Sequence, residues 1–137
     1  DINFKIANNA GQSSSILELN QHKDIWPNVE YTSSIKLKSS TLKNVIKYEK
    51  IDIKKYQALI MDTQGSELLV LKGGSSLLKN FKYIKTEAAD FESYKECCLI
   101  KDLSKFLNKF GFKEIKKIKF ATRKGGGNYF DILYERK

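Results

Sequence analysis

Tyr56-Gln57-Ala58-Leu59-Ile60-Met61, a short and nearly unbroken apolar run that stops at Asp62-Thr63-Gln64-Gly65, restricts the fold of this chain more than any other stretch. A run without alternation predicts a central parallel strand covered on both faces. Ser66 follows with a hydroxyl suited to capping a helix, then Leu68, Leu71, Leu77 and Leu78 at helical spacing, interrupted by Gly73-Gly74. That pattern predicts one set of helical turns, a break, and a second short set. A strand feeding a helix through a tight turn points to an α/β sheet rather than an all-helical or all-β fold.

The rest of the chain alternates in the same way. Ile2, Phe4 and Ile6 are separated by polar neighbours, as in a half-buried strand that ends at the turn Asn8-Asn9-Ala10-Gly11. Residues 16–40 read as an excursion with short strands around Pro27, the only proline. A helix is expected from Ser40 or Thr41 to about Tyr48, with Leu42, Val45 and Ile46 on one face. Phe81 to Glu87 is the next strand. Ile100 to Phe110 is the clearest helix, with Ile100, Leu103, Phe106, Leu107 and Phe110 in register and Gly111 placed for a left-handed C-terminal cap. Phe112 to Thr122 and Tyr129 to Glu135, joined by Lys124-Gly125-Gly126-Gly127-Asn128, predict an antiparallel hairpin that closes the sheet.

With 137 residues, 41% of them hydrophobic, the chain is one globular domain or part of one. It can bury roughly two thirds of its unfolded surface without staples. No run approaches the roughly 18 apolar residues of a membrane span. The first residues, DINFKIANNA, lack both the basic start and the apolar stretch of a signal peptide, so a cytoplasmic protein is expected. The first residue is Asp1 and the single methionine is Met61, which suggests a piece of something longer. Cys97 and Cys98 are adjacent, a spacing poor for a strain-free disulfide, and one histidine leaves no soft-ligand set for structural zinc.

Charge is uneven: Lys101 to Lys124 holds nine basic residues against Asp102 and Glu114, within a chain of net charge +9. Such a stripe can attract phosphates or an anionic membrane face. Solvated lysines on a helix and an edge strand explain it more simply, because planar bidentate recognition favours arginine and only Arg123 and Arg136 are present. Nucleic acid is therefore not the expected partner.

Ligands of open α/β sheets bind beyond the carboxyl ends of the strands. Two acidic residues fall there, Asp62 after ALIM and Glu87 after FKYIKT. A carboxylate so placed can orient a hydroxyl, take its proton or face a cationic cofactor. Gly65 suits a positive φ or a close backbone approach. Glu67 is explained by the helix dipole alone. His22, the only side chain with an ordinary pKa near neutrality, is a candidate base, although a lone histidine in a polar segment is more often a surface residue. Ser13-Ser14-Ser15 can offer hydroxyls to a ligand or simply cap and bend. Gly125-Gly126-Gly127 reads as a hairpin tip, and neither a Walker lysine motif nor a dinucleotide fingerprint is present.

The block from Leu59 to Gly74 (LIMDTQGSELLVLKGG) closely resembles the signature of the FkbM family of S-adenosylmethionine-dependent methyltransferases, D-x-[EQ]-G-x-E-x-x-V-L-x-G-A after a hydrophobic run. Phe4 to Ile16 resembles the Asn- and Ser-rich segment upstream of it in one branch of that family. Further matches are His22 with Pro27, Thr41-Leu42, Thr86-Glu87, Tyr94, Phe106-Leu107, Gly111-Phe112 and Leu133-Tyr134, so the resemblance spans nearly the whole chain. It implies a class I, Rossmann-like α/β sheet with a C-terminal antiparallel pair. It also implies methyl transfer from S-adenosylmethionine to a hydroxyl of a sugar or another small acceptor. On this resemblance Asp62, Glu87 and His22 would serve catalysis, and Asp62, Gln64 and Ser14 would face the cofactor.

The sequence departs from the family where Lys43 stands in place of an Asp after Thr-Leu and where Gln64 replaces the commoner Glu. The glycine-rich loop after the family's first strand and the acidic residue after its second have no counterpart. Residues 1–137 are thus expected to be a single partial methyltransferase domain, its C-terminal portion, inactive alone, with the strand at 57–61 lacking its usual neighbour. The alternative from another class is a non-catalytic basic module that binds nucleic acid or an anionic surface.

Overall fold

The computed structural model describes residues 1–137, and its strands form two separate sheets. β1 (Ile2–Ala7) and β2 (Tyr31–Leu37) pair antiparallel as a two-stranded ribbon, in register from Ile2 with Leu37 to Ile6 with Ser33, with a bulge before Ala7 meets Tyr31. The segment between them folds back at once: Lys5 exchanges backbone hydrogen bonds with Ser15 at 2.8 and 3.1 Å. The turn from Asn8 to Ser14 is therefore a tight loop at the ribbon's end. The expected first strand is present, but it stands outside the main sheet.

The main sheet has the order β3-β4-β6-β5, from β3 (Ala58–Met61), β4 (Tyr83–Ala89), β5 (Phe112–Thr122) and β6 (Asn128–Arg136). β3 and β4 are parallel, while β6 runs antiparallel to both its neighbours. The C-terminal hairpin forms as the alternation predicts, with its return strand inserted between β4 and β5. This is a mixed α/β fold consistent with the Rossmann-like sheet expected from the sequence.

β3 is an edge strand, not the central one its apolar run alone predicts but without the neighbour that the resemblance implies it lacks, and Ile60 is 72% exposed. An uninterrupted apolar run cannot separate the two cases, because which strand ends up inside depends on the partners available to it. The covered strand is β4, flanked by β3 and β6, with Ile84, Thr86, Ala88 and Ala89 buried. β5 forms the opposite edge. It carries Lys113, Lys116, Lys117 and Lys119 and two register shifts, which are devices that blunt an open edge.

The helices are α1 (Leu42–Tyr48), α2 (Glu67–Gly73) and α3 (Ile100–Asn108). Thr41 caps α1 by accepting from Asn44 N at 3.2 Å. Leu71, Leu103 and Leu107 meet Ile84, Phe112 and Ile132 in one core with no solvent exposure, each fully buried side chain contributing about 1.5–3 kcal/mol. The break after α2 is real: a 3₁₀ turn, Ser75–Asn80, follows it. Its glycines are demanded by contact, since a Cβ on Gly74 would come within 2.8 Å of Leu42 Cδ2 and one on Gly73 within 3.1 Å of Thr41 Cβ. Gly111 closes α3 with φ +83°, as expected of a left-handed cap.

Candidate active site

The end of β3 is shaped by two consecutive left-handed residues, Gln64 at φ +47° and Gly65 at φ +96°. Gly65 is also tightly enclosed, as a Cβ there would sit 3.1 Å from Leu17 Cδ1, Tyr94 Cδ2 and Cys97 Cβ. The turn leaves the N–H groups of Thr63 and Gly65 seeking acceptors. Glu67 supplies one: its Oε1 accepts from both, at 3.0 and 3.2 Å, while Oε2 accepts from Cys98 Sγ at 3.9 Å. The hydroxyl of Ser66, expected to cap the helix, instead donates to Thr63 O at 2.8 Å. Glu67 is only 3% exposed, and its burial holds the carboxyl above the usual range against those backbone bonds. Helix-dipole preference alone does not account for it.

Asp62 leaves β3 beside β4, one position beyond the Met61–Thr86 pair, and so brings its carboxylate close to Glu87. Glu87 is not the last residue of its strand, because β4 continues to Ala89 and pairs Glu87 with Asp131 of β6. Burial, then the negative charges of Asp62, Asp131 and Glu67, push the Glu87 carboxyl up to about 7, with Lys85 opposing. Asp62 is exposed at the rim and accepts from the side-chain amide of Gln64. Gln64 accepts in turn from Tyr94 Oη at 2.6 Å.

A cavity of about 580 Å³ opens over these carboxylates. Asp62, Gln64 and Glu87 form its floor, the Asn9–Ser13 loop and the 3₁₀ turn Gln21–Asp24 with Trp26 form one wall, and Phe120 and Tyr129 of the hairpin form the other. Trp26 and Tyr129 are packed at 5.4 Å, and Phe120 stacks on Tyr129 at 5.6 Å. Arg123, at the hairpin tip, bonds Asp24 at 2.9 Å and ties the two walls together.

His22 is 2% exposed, so the surface placement expected for a lone histidine does not hold. It lies between Trp26 and Tyr94, with ring centroids 4.8 and 5.3 Å away, and desolvation lowers its pKa to about 4. Ser13 Oγ accepts from Asn9 at 2.9 Å and forms a hydrogen bond with His22 Nε2 at 3.1 Å, while His22 Nδ1 is buried without a protein partner.

The three serines of the loop divide their tasks. Ser13 lines the cavity, Ser14 accepts from Ala7 N at 3.0 Å behind the wall, and Ser15 donates to Gln64 O at 2.7 Å. Asp62, Glu87, His22 and Gln64 are thus brought to one cavity, while Ser14 supports the loop that encloses it. Sequence reasoning assigned no place to Trp26, Phe120 or Tyr129, whose apolar character is indistinguishable from that of core residues until the strands are paired.

A family model described as the methyltransferase FkbM domain matches residues 2–114. Neither the curated proteins nor the solved structures contain a match.

Proposed function

The chain belongs to the FkbM methyltransferase family, and we propose that its cavity seats a hydroxyl-bearing acceptor, a glycan or another small molecule, for methylation at the strand ends. Glu87 is the proton acceptor in this reading: a base is most effective when its pKa lies near the working pH, and Glu87 titrates at about 7 beside the cavity floor. The convergence of Asp62, Glu87, His22 and Ser13 on one cavity at the strand ends carries the proposal.

In this reading Asp62 and Gln64 face the cofactor from the cavity floor. The Asp62 carboxylate suits a positively charged sulfur in a site sheltered by Trp26 and Tyr129, and Gln64 holds that carboxylate through its amide NH₂. S-adenosylmethionine, when bound, supplies an electrophilic methyl group. Ser13 offers the acceptor a hydrogen-bonding hydroxyl whose orientation His22 fixes, and His22 stays neutral at pH 7, so it orients rather than charges the wall. Trp26 and Phe120 present ring faces to the apolar side of an acceptor and exclude water.

Calorimetric titration of S-adenosylhomocysteine into the folded chain tests whether the strand ends hold the cofactor, with saturable binding expected to weaken in Asp62→Ala. Methyl transfer from labelled S-adenosylmethionine in cofactor-competent protein tests the chemistry. Glu87→Gln and Asp62→Asn should each lower turnover by on the order of a hundredfold. Turnover of Glu87→Gln at the wild-type rate would remove Glu87 as the base.

A further inference from the structure

We infer that Tyr94 is a positioning residue for the strand-end carboxylate, holding Asp62 in place on the cavity floor through the side-chain amide of Gln64. Its catalytic meaning rests on the role given above to Asp62; the structural coupling does not.

The direction of each bond follows from what each group can do. Asp62 Oδ1 accepts from the Gln64 NH₂, which leaves Gln64 Oε1 for Tyr94. The Tyr94 hydroxyl meets two oxygens, Gln64 Oε1 at 2.6 Å and Ser13 O at 3.3 Å. Both are acceptors, so the phenol is a donor in either geometry and never competes for the amide protons. Burial raises its pKa far above any working pH, which keeps that proton in place. The two ends of an amide are nearly equal in shape, so it is this partner set that fixes which way round the group sits.

The anchor itself is rigid. Tyr94 is 1% exposed, its ring is packed against His22 and the backbone of Gly65, and its main chain bridges Leu19. Gln64 is clamped from the other side by Ser15, which donates to its carbonyl. A glutamine at this position also matters chemically. The chain Tyr94–Gln64–Asp62 has a single carboxyl group, at its solvent end, whereas glutamate at 64 would set two carboxyl groups within hydrogen-bonding distance of each other.

The experiment is NMR of the ¹⁵N,¹³C-labelled 137-residue chain, reading the Gln64 side-chain amide and the Asp62 carboxyl carbon in the absence of cofactor. Tyr94→Phe keeps the ring and its packing. It should speed solvent exchange of the Gln64 amide protons about tenfold, the worth of one hydrogen bond, and shift the Asp62 carboxyl signal. Tyr134→Phe, a buried tyrosine of the main core bonded to Ser104, should change neither signal. In a Gln64→Ala background, Tyr94→Phe should no longer move the Asp62 signal. Unchanged Gln64 and Asp62 signals in a folded Tyr94→Phe protein overturn the inference, as does an undiminished Asp62 shift in the Gln64→Ala background. If Tyr94→Phe does not fold, Gln64→Ala alone decides, since an unmoved Asp62 signal there breaks the chain. None of these signals requires methyl transfer, so failure of the proposed reaction would be seen separately.

Discussion

Glu87 and His22 share a cavity and depart from their ordinary pKa values in opposite directions, one up to about 7 and the other down to about 4. The consequences for stability oppose each other. The folded protein keeps a proton on Glu87 that the unfolded chain loses above about 4.5, so this residue's contribution falls as pH rises through 4.5–7. His22 is neutral when folded and binds a proton more readily when unfolded, so its contribution falls as pH drops from about 6.5 toward 4. Glu87→Gln removes the first effect and leaves the second. Urea melts at pH 7.5, 6 and 5 should therefore show the variant losing stability more steeply on acidification than wild type, and parallel profiles would contradict the raised pKa. Gly65 offers a simpler test: with φ +96° and three heavy atoms 3.1 Å from any Cβ, Gly65→Ala should cost about 1–3 kcal/mol in the same melts.

At the scale of elements, the site depends on how strands end. The β3–α2 turn exposes two backbone donors, and a buried glutamate from the helix it leads into accepts both. Glu67→Ala strands the Thr63 and Gly65 N–H groups and should cost about 2–4 kcal/mol, whereas Glu67→Gln keeps an acceptor oxygen and should cost less than half of that. Denaturant melts of the pair check the order, and equal losses would mean that charge rather than acceptance matters. The motif from Asp62 to Gly74 made this turn legible as a strand-to-helix junction. It did not reveal Glu67 as the group that holds it, because first-turn glutamates are common for reasons of dipole alone. His22 was equally hard to place: its burial is created by Trp26 and Tyr94, from two separate segments.

For the whole molecule, the uncovered edge of β3 is the feature with the plainest physical consequence. It presents unpaired backbone groups together with Ile60, whereas the other edge, β5, is blunted by lysines and bulges. Concentration-dependent association should therefore run through β3. Ile60→Lys should reduce it in sedimentation velocity, while Lys116→Gln on β5 should leave it nearly unchanged. The sequence by itself determined the elements, the α/β alternation, the strand-to-helix turn at Asp62–Gly65 and the family, because each is written in local periodicity or in a contiguous motif. Only the tertiary structure decided that β6 enters between β4 and β5 and that His22 is buried. It alone brought Trp26, Phe120 and Tyr129 over the two carboxylates. The reason is that strand order, burial and pKa depend on segments distant in the chain, and no local pattern encodes which of them will meet.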